Sequence, residues 1–140
     1  MKQPSQEAIA ELENILELSE GLINPEDVVL RAAKKTNPLH DYFEWQDGEA
    51  AHQYRLYQAR KLIRVWVVVL PQKPQSPVRM MVSLTSDRGG LGYRRLTDVM
   101  EDAELRAKLL EESKRDMSYF RRKYALLSEL AGVFAAMDKI

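Results

Sequence analysis

Apolar residues recur at helical spacing near the start of the chain. Over residues 5–20 they keep the gaps of three and four that mark one helix face, and the opposite face is acidic. Gly21 then offers the left-handed conformation in which many helices end. A short second helix is predicted from Asn24 and Pro25, because a capping amide followed by proline at the first helical position favours a helix start.

The pattern changes over residues 39–45, a segment that is too aromatic to be a solvated linker. We predict that this segment packs on the core while the chain crosses to a third helix. Asp47 can cap that helix, which should run to about Ile63 with one apolar side and basic residues elsewhere.

Two runs rich in β-branched and aromatic residues, 65–70 and 78–85, are typical of strands. Residues 71–77 contain three prolines and separate the runs, so an antiparallel hairpin is the simplest pairing. Residues 87–92, with three glycines, are predicted to form a flexible loop. Thr97 or Asp102 then opens the last helix.

The last helix carries an a/d heptad pattern, in which gaps of three and four alternate without interruption over residues 110–134. One helix over residues 104–138 would be about 50 Å long, which exceeds the width of a domain of this size. Either the helix breaks near Gly132 or Ser113 and folds back, or it pairs with a second copy.

The regular seam favours pairing, with a dimer as the preferred homo-oligomer. Aromatic residues at a and d positions favour a bundle or an intertwined dimer over a simple coiled coil. The predicted oligomer interface is Leu110, Met117, Phe120, Tyr124, Leu127, Ala131 and Phe134.

Together these elements predict an α+β, mostly helical fold, with three N-terminal helices and a β-hairpin in the order of a winged helix, followed by a long C-terminal helix. Residues 1–97 would form the winged-helix-like core, and residues 98–140 the oligomerisation helix, packed with the core as one domain. The connection over residues 35–47 is a misfit, since it is roughly three times longer than the turn of a helix-turn-helix.

Composition excludes several classes of protein. There is no cysteine, so neither a disulfide framework nor a thiolate metal site is possible. No apolar run approaches the roughly 20 residues of a membrane helix, and the N-terminal residues lack the features of a signal peptide. We therefore expect a soluble cytoplasmic protein.

Charge is balanced overall but unevenly distributed. The chain has 21 basic and 21 acidic residues. Residues 1–30 nevertheless contain seven acidic side chains and one basic one, whereas residues 53–97 contain nine basic side chains and a single acid, Asp87. The basic stretch could contact nucleic acid, or it could balance the acidic first helix within the monomer or across an interface.

In a winged helix the third helix enters the major groove of DNA and the hairpin contacts phosphates. Candidates for base edges are then His52, Gln53 and Arg55, at the start of the third helix. Candidates for phosphates include the arginines of the hairpin and of the glycine loop. The predicted nucleic-acid-binding residues are His52, Gln53, Arg55, Arg60, Lys61, Arg64, Arg79, Arg88, Arg94 and Arg95.

The sequence predicts no enzyme, no catalytic residues, no metal site, no cofactor and no small-molecule substrate. His40 and His52 are twelve residues apart, which fits no recognised metal-ligand spacing, and each is expected to be a capping or core-edge residue. Gly-Gly-Leu-Gly at residues 89–92 does not match a dinucleotide fingerprint, and there is no nucleophile elbow or P-loop.

Two further clusters have alternative interpretations. The basic run over residues 121–123 is expected to be the solvated flank of the heptad helix and not a ligand site. Five aromatic residues could form a stacking platform for single-stranded bases, but their position at the junction of two helices favours core packing. These five are Tyr42, Phe43, Trp45, Tyr54 and Tyr57.

Several short runs of the chain belong to one recognisable pattern. They are Asn37-Pro38-Leu39-His40-Asp41-Tyr42-Phe43-Glu44-Trp45, Tyr54-Arg55, Gln58-Ala59-Arg60-Lys61-Leu62-Ile63-Arg64, Gly92-Tyr93-Arg94, and Phe120-Arg121-Arg122-Lys123-Tyr124 with Leu127. The pattern covers about residues 24–135 and resembles an uncharacterised family of small proteins encoded in bacteriophages and prophages. The resemblance implies a bacterial host cell and a genomic context rich in small, oligomerising DNA-binding and assembly proteins, but it carries over no activity.

The sequence therefore predicts a phage-type, non-enzymatic nucleic-acid-binding protein that acts as a homo-oligomer in regulation or DNA packaging. The alternative is an oligomeric phage assembly or adaptor protein that binds another protein through its basic face.

Overall fold

The computed structural model describes residues 3–48, 50–88 and 92–140. Within these ranges the chain is α+β and mostly helical, as the sequence predicts. The α-helices are α1 Gln6–Leu18, α2 Pro25–Ala32, α3 Ala51–Val65, α4 Thr85–Arg88, α5 Leu96–Glu101, α6 Ala103–Lys123 and α7 Ala131–Met137. The strands are β1 Leu22–Ile23, β2 Val67–Val68, β3 Val78–Arg79, β4 Met81–Val82 and β5 Tyr93–Arg95.

Helices α1 and α2 begin where their local sequences predict. Ser5 caps α1, because its hydroxyl accepts a hydrogen bond from the backbone N–H of Ala8 at 3.1 Å. Asn24 caps α2 by accepting from the N–H of Glu26 at 3.0 Å, with Pro25 at the first helical position. Gly21 follows α1 at a φ of 87°, so the predicted left-handed stop is confirmed.

The core lies between the apolar faces of α1, α2 and α3. The aromatic segment before α3 joins it as predicted, with Leu39 and Phe43 buried, and Trp66 is the largest fully buried side chain. Burial of one such side chain contributes about 2 kcal/mol. The core residues are Ala8, Leu12, Ile15, Leu16, Ile23, Val28, Val29, Ala32, Leu39, Phe43, Leu56, Ala59, Leu62, Ile63, Trp66, Met80 and Met81.

The predicted cap of α3 is wrong. The helix begins at Ala51 after Ala50, and no side chain caps it. Asp47 is instead an exposed partner of Arg55, 3.3 Å away. Two side chains of α3 hold the segment that precedes it. Arg55 Nε donates to the carbonyl of Glu44 at 2.9 Å, and Gln58 Oε1 accepts from the backbone N–H of Glu44 at 3.1 Å. This start therefore depends on tertiary contacts more than on local capping.

The predicted hairpin is confirmed but short. Strands β2 and β3 pair antiparallel, with Val67 opposite Arg79 and Val68 opposite Val78. The predicted strands over residues 65–70 and 78–85 are too long, because α3 continues through residue 65 and α4 begins at residue 85.

A second sheet, with strand order β1-β5-β4, was not predicted. Leu22 pairs with Arg94, and Met81 pairs with Arg95, so strands from distant parts of the chain meet around β5. The backbone N–H of Leu96 donates to the carbonyl of Met80 at 2.7 Å, and Met80 in turn donates to the carbonyl of Trp66. The two small sheets are thereby linked beside the C-terminal end of α3.

The prediction of one continuous helix over residues 104–138 is wrong. Helix α6 begins after Asp102, which caps it as predicted by accepting from the N–H of Leu105 at 3.0 Å. It ends at Lys123 and is followed by a turn, a 3-10 turn over Ser128–Leu130, and α7. The alternative of a break with a fold-back is what the structure has, but Ser113 lies inside α6, and the break comes just before Gly132, which is the second residue of α7.

Residues 103–140 form a helical hairpin, which we call the C-terminal arm. The ring of Phe134 packs back on that of Phe120, with centroids 6.3 Å apart, and Arg121 pairs with Asp138. A fold-back and a continuous helix share the same apolar spacing, so the heptad pattern could not distinguish them. Helix α5 spans residues 96–101, so the predicted boundary between residues 97 and 98 lies within a helix.

Helix α6 of the arm packs against α5 and also contacts α4. Glu112 accepts a hydrogen bond from the backbone N–H of Thr85, and Arg115 donates to the Thr85 hydroxyl at 3.4 Å. None of the helices in the described ranges has both the length and the apolar composition needed to cross a membrane.

Candidate functional site

Helix α3 has one apolar side and one basic and aromatic side. Its buried residues are Leu56, Ala59, Leu62 and Ile63. At 3.6 residues per turn, positions 53, 57, 60 and 64 lie on the opposite side. The helix contains four basic residues and no acidic one. We call its outward side chains the α3 face: Gln53, Tyr54, Tyr57, Arg60, Lys61 and Arg64.

Two tyrosines of the α3 face are exposed, contrary to the expectation that they would pack in the core. Tyr54 is 50% exposed and Tyr57 is 48% exposed. Their rings stack at a centroid distance of 6.1 Å and an interplanar angle of 21°, and Lys61 Nζ lies 5.9 Å from the Tyr57 ring. The core-packing expectation does hold for the preceding aromatic segment, in which Phe43 is buried.

A cleft of about 420 Å³ lies beside the C-terminal half of α3. Arg60 and Arg64 of α3 and Arg79 of β3 line it, and α6 supplies Glu112 and Asp116. Its other lining residues are Val82, Ser83, Tyr93 and Leu109. We call it the arginine cleft, and its volume falls within the range of ligand-binding sites in proteins.

The three arginines of the cleft have no carboxylate partner among the described residues. The only hydrogen bond found for these guanidinium groups runs from Arg64 Nε to the carbonyl of Arg60, at 3.3 Å, within the described part of the chain. A guanidinium carries five N–H donors in a planar fork that matches the oxygens of phosphate and carboxylate groups. The cleft therefore presents guanidinium donors that could bind an anionic ligand, with two carboxylates on its α6 side.

Arg94, a predicted phosphate contact, is engaged within the protein. Its guanidinium donates two hydrogen bonds to the buried carboxylate of Asp87. These hydrogen bonds raise the pKa of Arg94 above its ordinary value, against the opposing effect of burial. We therefore leave Arg94 out of the candidate site.

Arg95 is engaged with acidic groups as well. It pairs with Glu13 of α1 and lies 3.7 Å from the carboxylate of Asp98. Burial acts to lower the pKa of Arg95, but the hydrogen bond and charge of Glu13, together with the charges of Asp98 and Glu17, raise it overall. The alternative interpretation, in which basic residues balance the acidic first helix, therefore describes Arg95.

Two candidates for base edges also have partners within the protein. Arg55 holds the segment before α3, and its guanidinium carbon lies 5.0 Å from the centroid of the Trp45 ring. His52 Nε2 lies 3.1 Å from a carboxylate oxygen of Glu26. Gln53 remains exposed on the α3 face. Arg88 ends α4, and its side chain lies outside the described residues, as do residues 89–91 of the predicted loop.

The predicted oligomer interface is divided by the fold of the arm. Phe120, Tyr124 and Phe134 form a small aromatic cluster, in which Phe134 is buried. Leu110, Leu127 and Ala131 are exposed, and Met117 is half-buried. Part of the heptad seam is thus used within the arm, and part of it faces outward.

His40 is a core-edge residue, as predicted. Its Nδ1 lies 2.7 Å from the carbonyl oxygen of Ala32, and its ring stacks on Trp45 at 5.0 Å. Among the residues that the structure describes, no group of three or more His, Cys, Asp or Glu side chains could hold a metal ion.

Comparisons of the chain with protein-family models, curated proteins and solved structures find no match. Function is therefore inferred from the geometry of the α3 face and the arginine cleft.

Proposed function

We propose that this is a non-enzymatic nucleic-acid-binding protein that contacts backbone phosphates through the arginine cleft. The observation that carries the proposal is the convergence of Arg60, Arg64 and Arg79 on one cleft without carboxylate partners among the described residues. Neutralisation of phosphates by such cations, with release of counterions, supplies most of the affinity in non-specific nucleic-acid binding. Bidentate donation by arginine also orients the phosphate.

In this proposal α3 is the contact helix, and the hairpin of β2 and β3 lies beside it, as in a winged-helix-like arrangement. Arg79 on β3 is the hairpin residue that supports this analogy. The long connection between α2 and α3 departs from the short turn of a helix-turn-helix. The biological setting we propose is a phage or prophage protein in a bacterial cell, with a role in regulation or DNA packaging.

We also propose that the protein is a homo-oligomer, with a dimer favoured, and that the C-terminal arm is its interface. Thirteen large apolar side chains are exposed in the described part of the chain, and seven of them belong to the arm. The arm is much less than half of the chain, so exposed apolar side chains are concentrated in it. Exposed apolar surface of this kind often marks a protein–protein interface. The seven are Leu110, Tyr119, Phe120, Leu126, Leu127, Val133 and Ile140.

The second candidate function is an assembly or adaptor protein that binds another protein through the same basic surface. Glu112 and Asp116 favour this candidate, because a cleft with charges of both signs suits a partner of mixed charge better than it suits a polyanion.

The test measures nucleic-acid binding by a variant that carries Arg60→Ala, Arg64→Ala and Arg79→Ala. Binding is measured by fluorescence anisotropy with short labelled oligonucleotides. The matched control carries Lys34→Ala, Lys35→Ala and Lys73→Ala, which remove three exposed charges elsewhere. For the wild type, affinity should fall steeply between about 50 and 200 mM salt. Loss of three phosphate contacts should lower the slope of log affinity against log salt by about 2–3, with little change in the control.

Equal losses in both variants would assign the affinity to overall charge and not to the cleft. No binding of the wild type to any oligonucleotide at micromolar concentration and low salt would reject nucleic-acid binding and leave the adaptor function.

A further inference from the structure

We propose that the α3 face binds single-stranded nucleic acid, with bases stacked on Tyr54 and Tyr57 and backbone phosphates held in the arginine cleft. This inference rests on the proposed function and names the form of nucleic acid that the site accepts.

The exposed tyrosine pair is the first observation behind this inference. Tyrosine rings bury large apolar areas in most folded proteins, yet Tyr54 and Tyr57 stack on each other at the surface, each about half exposed. An exposed aromatic ring offers a flat surface on which an unpaired base can stack, and stacking does not depend on the identity of the base. The pair therefore has the chemistry of a base-stacking platform.

The position of the pair relative to the cations is the second observation. Tyr57, Arg60 and Arg64 follow one another at gaps of three and four residues, so they lie along one side of α3. The distance along the helix axis from Tyr57 to Arg64 is about 10 Å. A short strand can therefore place a base on the tyrosines while its backbone continues into the arginine cleft.

The acidic side of the cleft is the third observation, and it argues against a duplex. Glu112 and Asp116 lie on the α6 side, and the hydrogen bond from Thr85 to Glu112 anchors that side to α4. Double-stranded DNA carries about one negative charge per 1.7 Å on two strands, so the two carboxylates oppose a duplex more strongly than a single strand of lower charge density.

The stacking of bases within a duplex is a further reason to expect that the α3 face binds a single strand. In a duplex the faces of the bases are already stacked on their neighbours, so exposed tyrosines gain nothing from a duplex unless a base is unstacked at a cost of a few kcal/mol. In a single strand the bases are free to stack on Tyr54 and Tyr57.

The experiment compares three labelled ligands of equal length by fluorescence anisotropy: an oligo-dT strand, an abasic strand with the same phosphates, and a duplex. We expect oligo-dT to bind more tightly than the abasic strand by on the order of 5- to 100-fold for each stacked base. Tyr54→Ala and Tyr57→Ala should each weaken oligo-dT binding and leave abasic binding unchanged. Tyr57→Phe should keep the wild-type affinity, because the ring is retained.

The control is Leu30→Ala, which removes an exposed apolar side chain of α2 that belongs neither to the α3 face nor to the C-terminal arm. It should leave the affinity for all three ligands unchanged.

Four results would overturn the inference. If oligo-dT and the abasic strand bind equally, or if the duplex binds most tightly, the stacking inference fails and phosphate binding by the cleft stands. If oligo-dT is preferred but the tyrosine variants keep that preference, the platform is not Tyr54 and Tyr57. If no ligand binds at all, the inference and the proposed function fail together.

Discussion

Arg94 donates hydrogen bonds from Nε and Nη2 to the two carboxylate oxygens of Asp87, at 2.9 and 3.0 Å. The pair ties β5 to α4, and the N–H of Gly92 also donates to the carbonyl of Asp87, at 3.1 Å. Asp87 is the buried charged side chain of the described residues, with 6% of its surface exposed. A buried carboxylate of this kind depends on its partner, since removal of the partner leaves a charge without compensation.

We expect Arg94→Ala to lower the free energy of unfolding by about 2–3 kcal/mol. A fully buried pair would lose more, but the Arg94 side chain is partly exposed and solvent screens part of the interaction. Urea denaturation at neutral pH measures the change. Arg79→Ala is the control, because Arg79 has no ion pair among the described residues and the change should stay within about 0.5 kcal/mol. If Arg79→Ala lowered the free energy of unfolding more than Arg94→Ala does, the Asp87–Arg94 pair would contribute little to stability.

Gly92 is a second point at which the small sheet can be tested. A Cβ atom at this position would lie 2.5 Å from Leu22 Cδ1 and 2.7 Å from Cγ, so the Leu22 side chain would have to shift within its packing against the segment before β5. Gly92→Ala should therefore lower the free energy of unfolding by about 1–3 kcal/mol, which chemical denaturation can measure.

The control for Gly92 is Gly132→Ala in α7, where nothing lies within 4 Å of the added methyl group. Alanine is the better helix former there, so the protein should gain about 0.5–1 kcal/mol. Changes of the same sign in both variants would contradict the steric argument.

The proposed self-association through the C-terminal arm predicts a change of molar mass in solution when the arm is altered. Leu127→Glu places a charge on an exposed apolar position of the arm, so the molar mass measured by light scattering should fall below that of the wild type. Leu18→Glu makes the same change at an exposed position of α1 and should leave the mass unaltered. A monomeric mass for the wild type itself would remove the arm as an oligomer interface.

Local sequence predicted the starts of α1, α2 and α6 well because each is set by a few neighbouring residues, unlike the start of α3. Asn24 with Pro25 and the cap at Asp102 form contacts that close within three residues, so no knowledge of the rest of the fold is needed. Strands β1 and β5 were missed for the opposite reason. They are two and three residues long, and their pairing joins distant segments, so neither shows an alternating pattern of its own.

The candidate site was predicted in part. The basic stretch was visible, but the sequence could not separate arginines with carboxylate partners from those without them. Arg95 pairs with Glu13, which lies 82 residues away in the sequence, so only the fold brings these two residues together. The sequence favours a core position for Tyr54 and Tyr57, because aromatic residues near a helix junction usually pack there. Their exposure depends on which side of α3 the core occupies.

Glu112 and Asp116 were not predicted as site residues, since charges beside a heptad seam are ordinarily solvated. Their position in the cleft depends on how α6 packs against α5 and α4, which the sequence does not show.

Helix α6 contributes Leu109, Glu112 and Asp116 to the cleft and Leu110 and Phe120 to the exposed apolar surface of the arm. One rigid element therefore borders both surfaces. If assembly moves α6 even slightly, the electrostatic potential at Arg60 and Arg79 changes with it, and ligand affinity and subunit affinity become thermodynamically linked. Linkage is reciprocal, so a ligand in the cleft would shift the concentration at which the subunits associate by the same factor as assembly shifts ligand affinity.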